Sequence, residues 1–96
     1  MIYAGVSRLS LRVGYVHSLK EKRSILNSIK AKVGSKFNVS IVEAEEQDNH
    51  KKIVLGISAV SSSKDLVEQT LRKVSDFILD NFDVEIIGEE LNIENY

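Results

Sequence analysis

Two hydrophobic periodicities alternate along this chain, and their order constrains the fold more than any other feature. Segments in which every second residue is apolar predict strands, and segments in which apolar residues recur every three or four positions predict helices. The resulting order is strand, helix, strand, strand, helix, strand. The sequence predicts strands over 2–13, 37–45, 52–61 and 84–93, a first helix over 19–33, and a second helix that opens at 61–63.

This order predicts an α+β fold. Right-handed crossovers turn it into a ferredoxin-like βαββαβ sandwich, a four-stranded antiparallel sheet with both helices on one face. The third strand is apolar at both parities and is predicted to be central beside the first strand. With 96 residues and 43% hydrophobic residues, the chain is expected to form a single domain over 1–96.

The first helix has a well-marked start. Ser18 is a suitable N-cap, and Glu21 three residues later completes the pattern of a capping box. Leu19, Ile25, Leu26, Ile29 and Val33 form its predicted apolar stripe, which Gly34 is expected to end. Helical spacing likewise predicts that Leu66 belongs to the buried stripe of the second helix. Ser62 and Asp65 are the predicted capping pair of that helix.

Charge is distributed unevenly along the sequence. Residues 1–36 contain eight Lys or Arg and one acid, whereas residues 37–96 contain five bases and thirteen acids, for a net charge of -1. Such separation favours a basic face that attracts phosphate. Pairing of the two halves in space would instead neutralise it, and the sequence leaves both alternatives open.

Six cations are the candidate RNA- or phosphate-binding residues. Lys20, Lys22 and Arg23 lie in the first turn of the predicted helix, where the helix dipole disfavours positive charge, so their presence requires a ligand or a pairing acid such as Glu43. The remaining three candidates are Lys30, Arg8 and Arg12. Arg8 and Arg12 share an open strand face that has no aromatic residues for base stacking, which favours contact with a nucleic-acid backbone or a protein.

No catalytic, metal or cofactor site is predicted. The chain has no cysteine and no Gly-rich nucleotide loop, and an acylphosphatase-like loop at residues 13–17 would lack its arginine. His17 and Ser18 are adjacent, but sequence neighbours rarely form a nucleophile–base pair. The acidic hairpin tip, including Glu46, Asp48 and His50, matches no metal-ligand spacing and is expected to be solvated. The chain is therefore expected not to be an enzyme.

The location of the protein is expected to be cytoplasmic. No apolar run approaches the roughly 18 residues of a membrane span, and no secretory signal is recognisable at the start of the sequence. A membrane partner is accordingly not expected.

Several motifs resemble the YlxP-like family, a bacterial domain of unknown function. They are His17-Ser18-Leu19-Lys20-Glu21-Lys22-Arg23, Lys36-Phe37-Asn38-Val39-Ser40, Glu43, Gln47-Asp48, Leu55-Gly56-Ile57 and Val60-Ser61. The resemblance implies a ferredoxin-like fold and no established activity. It also implies a link to RNA or ribosomes, because such domains are often encoded beside translation initiation and ribosome-maturation factors.

Two functional hypotheses follow. In the first, the domain is a non-enzymatic accessory protein that binds RNA or a ribosomal particle through the six cations. In the second, it is a homodimeric regulatory or assembly module that pairs open sheet faces and binds a protein partner or small ligand. The small residues Gly56 and Ser58 on the predicted open face favour close approach of a second sheet.

Overall fold

The computed structural model describes residues 1–96, and its elements follow the predicted order. Regular alternation and β-branched residues produce the strands, while the two helices carry their apolar residues at helical spacing. In chain order the elements are β1 (Tyr3–Arg12), α1 (Leu19–Lys36), β2 (Ser40–Glu45), β3 (Lys52–Ser61), α2 (Lys64–Asn81) and β4 (Glu85–Asn95).

The four strands form one antiparallel sheet in the order β2-β3-β1-β4. β1 and β3 are therefore central, as predicted. α1 lies against β2, and α2 packs against β1, β3 and β4. The ferredoxin-like α+β sandwich is confirmed.

The core lies between the helices and one face of the sheet. Ser7, Leu9 and Leu11 of β1 are buried on this face, while Val6 and Arg8 between them are exposed on the other. The face of β1 that points away from the helices is therefore open to solvent at Val6 and Arg8. The β1–β3 register runs unbroken, and the second face of the sheet has no cover.

Three details of the helices differ from the prediction. α1 continues through Gly34 to Lys36, because this glycine has a negative φ and does not act as a stop. The N-cap of α2 is Ser63, whose hydroxyl accepts a hydrogen bond from the Leu66 N–H, and not Ser62. Leu19 and Leu66 are exposed and do not belong to the buried stripes.

The sheet contains a bulge in β4. Ser10 pairs with Gly88 and Leu11 pairs with Ile86, which leaves Ile87 as the extra residue. The irregularity lies next to Gly88. Neither helix combines the length and apolar composition needed to cross a membrane.

Candidate phosphate-binding surface on the first helix

The start of α1 sets the directions of the candidate cations. Ser18 has extended backbone, and its hydroxyl accepts a hydrogen bond from the Glu21 N–H at 3.1 Å. This confirms the predicted N-cap. Since successive helical residues are about 100° apart around the axis, Lys20 and Lys22 point in nearly opposite directions. The first-turn cations therefore do not form one cluster.

Lys22 points inward and is 1% exposed. Its ammonium donates to the carbonyl oxygens of Glu46 at 2.5 Å and Asn49 at 2.8 Å, and lies 3.2 Å from Glu43 Oε2. The two loop carbonyls occupy two of the three donors of the ammonium, while Glu43 Oε2 lies within ion-pair distance but accepts no hydrogen bond. Lys22 is thus part of the interior and offers no donor to an external phosphate.

The loop between β2 and β3 is shaped to receive this ammonium. Glu46 has a φ of 63°, in the left-handed region that few non-glycine residues adopt. Its carbonyl also accepts from the Asn49 N–H at 3.0 Å, and Asn49 Oδ1 accepts from the Lys51 N–H at 2.9 Å. The loop carbonyls are consequently held in place around Lys22.

Glu43 completes the arrangement from β2. Its side chain is only 10% exposed, and Oε2 is buried with the Lys22 ammonium as its polar neighbour. Arg23 approaches the other carboxylate oxygen at 3.7 Å but is itself about half exposed. One buried carboxylate therefore faces two cations of α1.

Lys51, at the end of the β2–β3 loop, contacts the segment that leads from β1 into α1. Its ammonium donates to the carbonyls of Gly14 at 2.8 Å and Val16 at 2.6 Å, in the connection between β1 and α1. Lys22 and Lys51 thus link this connection to the β2–β3 loop from both sides. The two lysines stabilise the end of the molecule at which α1 begins.

Lys20, Arg23 and Lys30 remain at the surface of α1. At 100° per residue they lie on the side of the helix nearest β2, spread over about 15 Å of the axis. Neither Lys20 nor Lys30 has a carboxylate within ion-pair distance, and the carboxylate facing Arg23 is the buried Glu43. We call these three residues the basic row.

Arg8 and Arg12 lie elsewhere. They project from the open face of the sheet, on the side opposite α1, and each is paired with an acid. Arg8 contacts Glu45 at 2.8 Å and Arg12 contacts Glu85 at 3.3 Å. The structure therefore divides the six predicted residues among a surface row, an interior lysine and a separate sheet face.

Two further cations of α1 were omitted from the predicted site. Lys32 lies 5.2 Å from the centre of the Phe82 ring, and Lys36 lies 5.3 Å from that of Phe77. They occupy the side of α1 that faces α2, so they extend the basic surface around the helix. Lys36 also lies 5.9 Å from the ring centre of the adjacent Phe37, whereas Phe77 and Phe82 are more than 40 residues away in sequence, so local spacing did not reveal those two contacts.

The acidic residues of the hairpin are individually accounted for. Glu43 faces Lys22, Glu45 pairs with Arg8, and Glu46 lies 4.0 Å from Lys52. No three His, Asp or Glu side chains come close enough to hold a metal ion. Asp48 and His50 line an open, polar surface of this loop.

Tyr15 has the clearest change in pKa. Partial burial raises the pKa of its phenol above 10.0, and the negative charge of Asp83 raises it further. Both effects favour the protonated form, so the side chain stays neutral at physiological pH and offers a hydroxyl to its surroundings.

The fold and this surface define a ferredoxin-like α+β domain with one basic helix. The chain belongs to the family described as "Protein of unknown function (DUF503)", which matches residues 4–91. It is 49% identical over 61 residues to the "Uncharacterized protein YlxP" of Bacillus subtilis (strain 168), an alignment that spans 64% of this chain and 66% of that protein.

Solved structures are similar in fold alone. A "putative Antibiotic biosynthesis monooxygenase" from Chloroflexus aurantiacus J-10-fl superposes with a TM-score of 0.51 at 15% identity, covering 100% of this chain and 95% of that one. The de novo designed protein Foldit4 gives a TM-score of 0.49 at 14% identity, with coverage of 97% and 98%.

Proposed function

We propose that this domain is a non-enzymatic accessory protein that binds RNA, free or within a ribosomal particle, through the cations at the surface of α1. The basic row carries the proposal: Lys20, Arg23 and Lys30 share one side of the helix, and of these three cations only Arg23 has an ion-pair partner, Glu43 at 3.7 Å. Positive charges that are not fully neutralised within the chain attract a polyanion, whose counterions are released on binding.

The shape of the surface favours a polymer over a small phosphate ligand. The row extends about 15 Å along the helix axis, which is much longer than one phosphate group. Lys32 and Lys36 continue the positive surface on the α2 side, and Glu21 is the only acid within α1. A nucleic-acid backbone, with its regularly repeated charges, matches such an extended surface.

Lys22, Arg8 and Arg12 are left out of the proposed interface for different reasons. The Lys22 ammonium is buried, donates to two loop carbonyls and is paired with Glu43. Arg8 and Arg12 are neutralised by Glu45 and Glu85 on the far side of the sheet, so an RNA strand lying on α1 cannot reach them. Of the six candidate residues, the proposed interface therefore includes only Lys20, Arg23 and Lys30.

Co-sedimentation with RNA and with ribosomal particles tests this function. The variant K20E/R23E/K30E reverses the basic row, and we expect it to lose binding that the unmodified protein shows at about 50 mM salt and largely loses at about 200 mM. The matched control is K64E/R72E/K73E, which reverses three exposed cations of α2.

Comparison with this control shows whether RNA binding depends on the position of the basic row or only on the net charge of the protein. Both variants change the net charge by the same amount, so only a local role of the basic row makes them differ. Failure of the unmodified protein to sediment with either partner would contradict the proposal. Equal loss of binding in both variants would also contradict it.

A further inference from the structure

Gly34 has no role in the fold that accounts for a glycine at its position. It lies inside α1, which continues to Lys36, and its φ is negative, so it neither ends the helix nor adopts a conformation that requires glycine. A Cβ there would meet nothing within 4 Å. Glycine inside a helix is less favourable than alanine, because it loses more conformational freedom on folding. Folding alone therefore favours a side chain at position 34.

Gly34 lies on the same side of α1 as the basic row. At 100° per residue, its direction around the axis differs by about 20° from that of Arg23 and by about 40° from that of Lys30. The exposed Asn27 also lies on this side. The side from Lys20 to Gly34 is about 21 Å long, so the glycine extends the row by about one helical turn.

The glycine leaves the main chain of α1 uncovered at this end of the row. A helical side chain covers the turn that precedes its own Cα, so a side chain at position 34 would stand over the main chain near Lys30 and Ala31. Ala31 is exposed and contributes only a methyl group. A ligand can therefore approach the helix more closely here than along the rest of the row.

The ligand that fits this position is the sugar–phosphate backbone of the RNA strand, so the inference rests on the proposed function. α1 contains no aromatic residue on which a base could stack. Its one acid, Glu21, lies about 140° around the axis from Gly34 and does not repel a strand on this side. A strand whose phosphates contact the basic row continues past Lys30 to the uncovered main chain.

We propose that Gly34 is an RNA-contact residue, at which the sugar–phosphate backbone lies directly against the main chain of α1. The basic row supplies the charge, and the glycine determines how closely the strand approaches beyond Lys30. A side chain at position 34 holds the strand away from the helix. It also weakens the attraction to the Lys30 ammonium, because the interaction between charges falls with distance.

This role makes stability and RNA affinity change in opposite directions. G34A removes the conformational cost of a glycine inside a helix, so it should raise the free energy of unfolding. The added methyl group should at the same time lower the affinity for RNA. A glycine that served only the structure of α1 would not produce this pair of effects.

Fluorescence anisotropy with a labelled single-stranded RNA measures the change in affinity. We expect G34A to lower the affinity by about threefold and G34L by about tenfold, as when methylene groups are added to a close-packed contact. Neither substitution alters the net charge. The matched control S35L places the same side chain at the next exposed residue, about 100° around the axis, and should bind within about twofold of the unmodified protein.

The outcomes separate this inference from the proposed function. Circular dichroism and thermal unfolding must show the variants to be folded, and G34A is the test if G34L is not. Folded G34A and G34L variants that bind RNA as tightly as the unmodified protein would overturn the role of Gly34, even if K20E/R23E/K30E loses binding. Equal weakening by G34L and S35L would overturn it as well. An unmodified protein without affinity for RNA would overturn the proposed function and this inference together.

Discussion

Lys22 shows how one residue can carry a sequence signal for binding and a structural role for folding. Its position in the first turn of a helix is electrostatically unfavourable for a cation, which suggested a ligand. The structure supplies the compensation internally, through Glu43 and two loop carbonyls. These partners lie 21 to 27 residues away in sequence, so no local pattern could reveal them.

Replacing Lys22 by methionine should strongly destabilise the fold. K22M leaves the buried Glu43 Oε2 without its nearest cation, with only the half-exposed Arg23 beside the other carboxylate oxygen, and removes a donor from each of two carbonyls. Loss of one partner from a buried ion pair costs about 3–5 kcal/mol. We expect a decrease of this size in the free energy of unfolding, measured by denaturant titration.

K20M is the control for this change. Lys20 is exposed and has no ion-pair partner, so the substitution should alter the free energy of unfolding by no more than about 0.5 kcal/mol. Similar stabilities for K22M and K20M would show that Lys22 is not a structural residue.

At the scale of the elements, two glycines that look alike in sequence have opposite roles. A Cβ at Gly5 would lie 2.5 Å from Val67 Cγ1 and 2.9 Å from Leu71 Cδ1, because α2 packs directly on β1 there. A Cβ at Gly34 would meet nothing within 4 Å, since it would point outward from α1.

This difference predicts effects of opposite sign. G5A should lower the free energy of unfolding by about 1–3 kcal/mol through overpacking. G34A should raise it by about 0.5–1 kcal/mol, because alanine loses less conformational entropy than glycine within a helix. Thermal or denaturant unfolding of both variants measures the effects, and a destabilised G34A would contradict the continuous α1 seen here.

The helix ends illustrate what sequence patterns leave undetermined. Ser18 was correctly predicted as the N-cap of α1 because a serine followed by Glu21 has few alternatives. Three consecutive serines precede α2, and choosing among them requires the backbone geometry that makes Ser63 extended. Gly34 similarly fits both the interior and the end of a helix until its φ is known.

At the scale of the whole molecule, the fold was predictable because periodicity, element order and crossover handedness agree. The topology in turn determines which strands pair with each other in the sheet. The register of β1 decides which face of the sheet each of its side chains lies on. It puts Arg8 and Arg12 on the face away from α1. Their ion pairs with Glu45 and Glu85 depend on contacts between distant segments that the sequence order does not specify.

The whole molecule is consequently polarised. α1 forms one basic side, and no Lys or Arg occurs after Lys73, so the C-terminal part of the chain, including β4, is acidic. The separation of charge seen along the sequence is thus retained in space at α1, although Arg8 and Arg12 are neutralised. An RNA partner is expected to approach α1 and avoid the edge formed by β4.

The salt dependence of RNA affinity is the most direct test of the basic row. Each phosphate neutralised on a single strand contributes about 0.7 to the slope of log affinity against log salt. We expect K20Q/R23Q/K30Q to reduce the magnitude of that slope by about 2 relative to the unmodified protein, in fluorescence anisotropy titrations with a labelled single-stranded RNA. R8Q/R12Q should leave the slope unchanged, and an unchanged slope in K20Q/R23Q/K30Q would contradict the proposed interface.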